Sequence, residues 1–152
     1  MRLVIAAVGR ARGDPSAALT AAWLERLPWP ATLVEIEERG RFAPAARKAA
    51  EAKKLLAAIP AGATLVALDP AGRTLSSEAF AAQLGRWRDQ GLRELAFVIG
   101  GAEGLDQALL ARAALRLSFG PMVFAHLLAR AMLAEQLYRA STILAGHPYH
   151  RG

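Results

Sequence analysis

The sequence predicts an α/β protein in which helices cover both faces of a parallel β-sheet. Short, uniformly apolar segments such as "RLVIAAV" and "ELAFVI" alternate with longer segments of helical spacing. Strands that are apolar on both faces are typical of parallel sheets buried between two layers of helices. The 152 residues are 54% hydrophobic, which is enough for a sizeable core and favours one domain over residues 1–152.

Turn residues divide the first half of the chain into two strands and two helices. The apolar run 2–8 predicts the first strand. Apolar residues spaced by four give residues 15–27 the pattern of a helix, which ends at Pro28. Residues 31–36 predict the second strand, and the alanine- and lysine-rich residues 45–59 predict the second helix.

The second half of the chain continues the same alternation. Residues 63–69 predict a third strand, followed by a turn at "PAGR". A helix then begins at Ser76 or Ser77, either of which can cap it, and runs to about residue 90. The remaining predicted elements are strands at 94–99 and 115–119 and helices at 105–113 and 124–143.

The carboxyl ends of these strands are the predicted ligand site. Ligands of open parallel sheets bind beyond the carboxyl ends of the strands, which brings together Leu68–Asp69, Gly100–Gly101 and the segment after Ser118. The glycines of "IGGAEG" let backbone groups approach a ligand closely, although a plain tight turn has the same pattern. Glu103 and Asp106 disfavour a phosphate here and favour a ligand with a cationic centre.

The segment "LSFGPMVFAH" allows two interpretations. Its bulky residues 122–124 are either ordinary core or the apolar wall around a flat ring, whose edge free backbone groups would recognise. The helix that follows places His126 and Arg130 on one face. It is apolar over most of its circumference, so it is either deeply buried or shared between subunits.

Net charge favours an anionic partner. The chain carries 19 Lys and Arg against 13 Asp and Glu, a net charge of +6, which indicates nucleic acid before a membrane surface. Six basic residues and one acid, Glu51, lie between residues 39 and 54, where they either contact phosphates or form a solvated helix face. The six are Arg39, Arg41, Arg47, Lys48, Lys53 and Lys54.

The composition also indicates a cellular compartment. Cysteine is absent, which excludes disulfides and a cysteine nucleophile and fits a reducing cytoplasm. The apolar run from Leu3 to Val8 is too short for the core of a signal peptide. Charged residues such as Arg130 and Glu135 interrupt the longest apolar region. We therefore expect a soluble, cytoplasmic protein with no membrane contact.

The chain ends on an unusual group of side chains, "HPYHRG" at residues 147–152. Two histidines, a tyrosine and an arginine at a terminus fit a tag-like tail, a metal clip or part of an active site. His126, His147 and His150 have separations that match no compact metal-ligand pattern, so no metal is predicted.

Three segments taken together resemble a known family. "IGGAEGL", "LSFGPMVFAHLLARAMLAEQLYRA" and "GHPYHRG", in this order, resemble the small SPOUT-class methyltransferases that modify pseudouridine in large-subunit ribosomal RNA. The likeness covers essentially the whole chain and includes "AAVGR" and "LVALDPAGR". It implies a three-layer α/β fold with a carboxyl-terminal trefoil knot, a homodimer, S-adenosyl-L-methionine bound in the knot, and methylation of pseudouridine N3.

The resemblance also implies the site residues. The candidate proton acceptors are His126 and His150, together with His147. Arg130 and Arg151 would stabilise negative charge on the ring carbonyls of the pseudouridine. Tyr149 would stack on the nucleobase or form a hydrogen bond with it, which completes the catalytic set. The implied partner is ribosomal RNA or the assembled ribosome. The implied cofactor-binding residues are Leu68, Gly101, Phe119, Gly120, Pro121, Met122, Val123 and Phe124.

The chain departs from this family at three loop positions, and two other classes of protein would share some of its features. Ala102, Ala125 and Gly146 differ from the residues that this family usually has in these loops. A non-catalytic RNA-binding α/β module would keep the basic surface and need no cofactor cavity. A flavodoxin-like nucleotide-binding protein would use "GGAEG" for a phosphate.

Overall fold

Five parallel strands form one sheet in the computed structural model, which describes residues 1–150 except for the side chain of His150. The strand order is β2-β1-β4-β3-β5, and every pairing is parallel. The predicted parallel sheet is therefore confirmed. The strands are β1 (Arg2–Val8), β2 (Ala31–Ile36), β3 (Thr64–Thr74), β4 (Glu94–Ile99) and β5 (Leu115–Ser118).

Helices cover both faces of this sheet. One core cluster joins the sheet to α3 and α5, with α1 packed at its edge, and the other joins it to α2 and α4. The predicted three-layer arrangement is confirmed, while the trefoil knot stays a prediction. The helices are α1 (Pro15–Glu25), α2 (Pro44–Ala57), α3 (Ser77–Asp89), α4 (Gln107–Arg112) and α5 (His126–Leu144), followed by a 3-10 turn at Pro148–His150.

Side-chain caps fix where three of the helices begin. Asp14 accepts a hydrogen bond from the backbone N–H of Ser16 at 2.8 Å at the start of α1. Ser76, rather than Ser77, caps α3. Asp106 caps α4, where its carboxylate accepts a hydrogen bond from the backbone N–H of Ala108 at 3.0 Å. Its negative charge therefore serves the start of this helix rather than a bound ligand.

The third strand is longer than the sequence predicted. Leu117 of β5 pairs with both Leu68 and Arg73, so residues 69–72 leave the ladder as a bulge within β3 rather than ending the strand in a turn. Asp69 holds this bulge, since it accepts from the Arg116 guanidinium at 2.8 and 2.5 Å. The bulge leaves Leu68 at the carboxyl edge of the sheet, where the site is built.

None of the helices within residues 1–150 has the length and apolar composition needed to cross a membrane. The longest, α5, has 19 residues. Charged residues such as Arg130, Glu135 and Arg139 lie along it.

Candidate active site

A cavity of about 450 Å³ opens at the carboxyl edge of the sheet, between the ends of β3 and β4 and the segment that follows β5. The prediction that these three segments meet is confirmed. Pro121 is not among the lining residues. The other seven residues that the resemblance assigns to a cofactor line the cavity: Leu68, Gly101, Phe119, Gly120, Met122, Val123 and Phe124.

The segment between β5 and α5 forms one wall of this cavity. Met122 and Val123 are 73% and 87% exposed, so their interpretation as core residues is wrong. Phe124 is half-buried and lines the cavity. Gly120 has φ +110°, in the region that favours glycine, and it lets the chain turn sharply out of β5. The interpretation as an apolar wall is the one that agrees with this placement.

The lining of the cavity suits the cofactor that the resemblance implies. No lysine or arginine is among its lining residues within the described chain, and apolar side chains and glycine backbone predominate. Such a surface accommodates a flat ring and tolerates a sulfonium cation, whereas it offers no counter-charge to a phosphate. These residues therefore fit S-adenosylmethionine better than a nucleotide phosphate.

His126 lies at the first position of α5 and lines the cavity. Its ring packs on Gly9, where an added Cβ would lie 2.9 Å from His126 Nε2. Burial, and secondly the positive charge of Arg130, lower the pKa of His126 below its usual value. The imidazole is therefore neutral at neutral pH and can accept a proton.

Arg130, one helical turn after His126, connects α5 to the ends of β1 and β2 through hydrogen bonds. Its side chain is 1% exposed, and Nη2 donates to the carbonyl oxygens of Val8 and Gly9, both at 2.7 Å. Nη1 donates to Glu35 Oε1 at 3.0 Å, while Nε has no hydrogen-bond partner among the described residues. These donors are directed at protein groups, and Arg130 is not among the described residues that line the cavity. A direct role for Arg130 in stabilising substrate charge stays a prediction.

The tail folds back on α5 and α1. The Tyr149 hydroxyl donates to Glu135 Oε1 at 3.0 Å, and its ring lies 4.9 Å from that of Tyr138 and 5.9 Å from that of Trp23. Burial, and secondly the bond to Glu135, raise the pKa of Tyr149, so the phenol remains protonated at neutral pH.

Within one chain, Tyr149 is not among the described residues that line the cavity. It contacts Glu135, which lies nine residues after His126, about 13 Å along the helix axis. The expectation that Tyr149 lies beside residues 119–124 left open which subunit of a dimer supplies the tail, and it stays a prediction. The side chain of His150 and all of Arg151 lie outside the described residues. The structure therefore brings His126 to the cavity and leaves Tyr149 at the side of α5.

His126 and His147 lie too far apart within one chain to share a metal ion. His126 begins α5 and His147 follows its end, and a helix of 19 residues separates them by about 28 Å. Over residues 1–150, no group of three or more His, Asp or Glu side chains is placed to hold a metal ion.

A second cavity, which the sequence analysis did not anticipate, is a groove of about 500 Å³ between α1, α3 and α5. Leu19 and Leu128 line it with exposed side chains. Phe119 and Gly120 line both the groove and the first cavity. The sequence signal for this groove was the apolar circumference of α5, which is compatible with a helix that contacts a second subunit.

Glu51 is a buried carboxyl group that the sequence analysis counted only as the acid of a basic segment. It is 5% exposed, its Oε2 has no hydrogen-bond partner in the part of the chain that the structure describes, and a Cβ added to Gly101 would lie 3.5 Å from its Oε1. Burial raises its pKa; Arg47 opposes this shift, and Glu103 and Glu38 add to it. Glu51 thus lies directly behind the glycine loop of the cavity.

The Glu51→Gln variant is expected to be more stable than the wild type at neutral pH. Because the folded state holds the Glu51 proton more tightly than the unfolded chain, wild-type stability falls as pH rises from about 4.5 through the raised folded pKa. The variant lacks this fall, so urea unfolding should show near-equal stability at pH 4 and a gain of about 1 kcal/mol at pH 7. Glu25→Gln, an exposed control on α1, should show no such pH-dependent gain. A gain that is constant over pH would contradict the assignment.

The basic residues between 39 and 54 divide into two groups. Arg39 pairs with Glu37, Arg47 donates to backbone carbonyls, and Lys54 pairs with Glu38. Arg41, Lys48 and Lys53 form no ion pair with the described residues. Of the six basic residues interpreted as phosphate ligands, the three without an ion pair therefore remain the candidates for contacting phosphate.

The fold and the cavity define an α/β protein whose ligand site is enclosed by the segment before its last helix. The family profile described as "Predicted SPOUT methyltransferase" matches residues 1–150. Proteins named "Ribosomal RNA large subunit methyltransferase H" from Rhodospirillum centenum and Paramagnetospirillum magneticum are 58% and 52% identical over 151 residues, 99% of both chains in each case. This chain belongs to the SPOUT methyltransferase family.

The similarity also extends to a solved structure. A probable methylase family protein from Haemophilus influenzae Rd KW20 superposes with a TM-score of 0.58 at 10% identity. The match covers 97% of this chain and 69% of that protein. At this level of identity it supports the fold alone, in agreement with the three-layer architecture.

Proposed function

We propose that this chain, acting as one domain, transfers a methyl group from S-adenosylmethionine to N3 of a pseudouridine in 23S ribosomal RNA of the large subunit. The observation that carries the proposal is the cavity bounded by Leu68, Gly101 and residues 119–124, with a neutral His126 at its edge. The names of the close relatives support the RNA substrate. The N3 position follows from the resemblance of the "AEQLYRA" and "HPYHRG" segments.

Different residues of the cavity would bind the cofactor, exclude water and accept the proton. S-adenosylmethionine, when bound, supplies an electrophilic methyl group on a sulfonium centre. Gly101 and the backbone of residues 119–124 would orient it, and Met122 and Val123 would cover it and exclude water. As the bond from N3 to the methyl carbon forms, the bond from that carbon to the sulfonium sulfur would break and leave its electron pair on sulfur, so that S-adenosylhomocysteine leaves. The N3 proton must also leave, and the neutral imidazole of His126 would accept it.

Replacement of His126 by Gln should remove this proton acceptor. We expect kcat to fall about 100-fold, the usual contribution of a general base. Because the pKa of His126 is lowered, wild-type activity should persist as pH falls to about 6.5 and decline only below it, where the imidazole becomes protonated. The measurement is the pH dependence of methyl transfer by both proteins. An unchanged acid limb in the variant would exclude His126 as the base.

We further propose a cytoplasmic homodimer in which the tail of one subunit serves the site of the other. The apolar groove between α1, α3 and α5 is suited to bury against a second copy, because Leu19 and Leu128 are exposed in it. Site sharing is supported by the position of Tyr149, which lies beside Glu135 and away from the cavity of its own chain. In such a dimer, Tyr149, His150 and Arg151 would approach the RNA base held at the partner's cavity.

One labelling experiment tests the proposed function. Tritiated S-adenosylmethionine is incubated with ribosomal particles that lack the modification, with free 23S RNA in parallel, and the labelled nucleotide is mapped. Label at N3 of a single pseudouridine is the expected result. RNA binding without any cofactor binding would instead favour a non-catalytic RNA-binding module, and tighter binding of FMN or ATP than of S-adenosylhomocysteine would favour a nucleotide-binding protein.

A further inference from the structure

Phe42 is an exposed aromatic residue on a loop at the carboxyl edge of the sheet. We name residues 37–43, which connect β2 to α2, the Phe42 loop. The Phe42 side chain is 42% exposed. A single exposed apolar side chain is common on protein surfaces and needs no special explanation. Three further observations distinguish this residue.

The first observation is that side chains of α2 hold the loop in one conformation. Arg47 donates to the carbonyl oxygens of Glu38 and Gly40 at 2.9 and 2.6 Å. Lys54 donates to the carbonyl oxygen of Glu37 at 2.6 Å. These bonds satisfy the loop backbone without burying its apolar side chain, so Phe42 is presented on a pre-organised support.

The second observation is that the Phe42 ring packs on its own loop. It lies over Gly40 so closely that a Cβ at that position would collide with the ring edge. The Arg47 guanidinium lies 5.8 Å from the ring centroid. The ring thus has contacts on the loop side, while the rest of its surface is available to another flat group.

The third observation is the charge and place of the loop. Arg41 lies next to Phe42, and Lys48 and Lys53 lie on the helix that follows, all three without an ion-pair partner among residues 1–150. In the sheet, β2 is separated from β4 only by β1, so the loop begins roughly 10 Å from the strand that enters the glycine loop. The loop thus begins at the same edge of the sheet as the cavity.

We propose that Phe42 stacks on an unpaired base of the RNA substrate while Arg41 contacts an adjacent phosphate. This inference rests on the proposed function, because it takes the substrate to be RNA. An exposed aromatic ring beside free cations is the combination by which proteins bind single-stranded nucleic acid. A purely apolar partner would gain nothing from Arg41, and a folded duplex offers no free base face.

Four substitutions test the stacking. On ribosomal particles that lack the modification, Phe42→Ala should raise KM for methyl transfer about tenfold and leave kcat unchanged. Phe42→Trp should restore the wild-type KM because it keeps an aromatic face. Phe42→Leu should behave like Ala, since it is apolar without such a face. Gly40→Ala should also raise KM, because its Cβ displaces the ring while Phe42 itself is retained.

The salt dependence tests the phosphate contact. Arg41→Ala should reduce the slope of log affinity against log salt concentration by about 1 for ribosomal particles. Arg93→Ala is the matched control, because Arg93 precedes β4 and thus lies at the opposite edge of the sheet. It removes the same charge and should leave the slope unchanged. Equal slopes for wild type, Arg41→Ala and Arg93→Ala would overturn the phosphate contact.

The outcomes separate this inference from the proposed function. If wild-type protein labels no RNA in any particle, the proposed function fails. If it labels RNA and Phe42→Ala has the wild-type KM, the stacking alone is overturned. Rescue by Phe42→Leu would also overturn it and would indicate an apolar protein partner. Unfolding curves that match those of the wild type ensure that a raised KM does not arise from a damaged fold.

Discussion

Removal of residues 149–152 is expected to abolish methyl transfer while the fold and cofactor binding are retained. Neither core cluster contains a residue of the tail, and no tail residue among those described lines the cofactor cavity. Among the described contacts, the truncation removes the hydrogen bond from Tyr149 to Glu135, the ring contacts with Tyr138 and Trp23, and the contacts of the Tyr149 ring with the Arg139 and Arg26 guanidinium groups. We expect this loss to be about 1–2 kcal/mol.

Three measurements on the truncated protein distinguish its effects. Urea unfolding gives the free energy of unfolding, calorimetry with S-adenosylhomocysteine gives cofactor-site affinity, and tritium transfer to ribosomal particles gives activity. Tyr149→Phe is the matched control for folding, because it keeps the ring contacts and loses only the bond to Glu135. A truncated protein that remains fully active would show that the tail has no part in the reaction.

Mixed dimers then test which subunit supplies the tail. One subunit carries the truncation, and the other carries a substitution in the cofactor cavity outside the groove, such as Gly101→Val, where an added Cβ would lie 3.1 Å from the Val8 side chain. Such a dimer keeps one site with an intact cavity and a tail from the opposite subunit if the site is shared. Activity near half of the wild type is then expected, whereas an inactive mixed dimer would mean that each tail serves its own chain.

Replacement of Arg130 by Met is expected to destabilise the protein by about 3 kcal/mol. The substitution leaves Glu35 without its guanidinium partner and removes the donor shared by the carbonyl oxygens of Val8 and Gly9. Methyl transfer should fall as well, because the contact of Gly9 with His126 depends on the same junction. Urea unfolding and methyl transfer are the measurements.

A double-mutant cycle isolates the ion pair. If the damage arises from the uncompensated Glu35 carboxylate, adding Glu35→Gln to Arg130→Met should recover part of the lost stability. Arg130→Lys should be intermediate, because an ammonium group cannot reproduce the fork that reaches Glu35 and two carbonyl groups at once. Strictly additive effects of the two substitutions would contradict the pairing.

The layers of this fold could be predicted from the sequence because strands and helices leave local patterns. A continuous apolar run or a helical spacing of apolar residues lies within one short segment, and all five strands and five helices are found close to their predicted positions. The meeting of Leu68, Gly101 and the segment after Ser118 was also predictable, since it follows from the parallel order alone.

The remaining features depend on contacts between distant residues, which a single sequence does not reveal. The bulge in β3 requires Leu117 to pair with two residues, and Arg130 is occupied by carbonyl groups more than 120 positions away. Glu51 resembled a solvated acid because the residues around it are basic, and only the packing of α2 against the glycine loop buries it. The contact of Tyr149 with Glu135 was not predicted for the same reason, since it depends on how the tail folds.

Phe119 and Gly120 belong to the wall of both the groove and the cofactor cavity. Two ligands that contact the same short segment are thermodynamically linked, and the linkage is reciprocal. If a second copy of the chain in the groove favours one conformation of residues 119–120, cofactor affinity depends on protein concentration, and the cofactor in turn shifts the association equilibrium by the same factor. The segment that encloses the methyl donor would then also couple assembly of the dimer to binding of the cofactor.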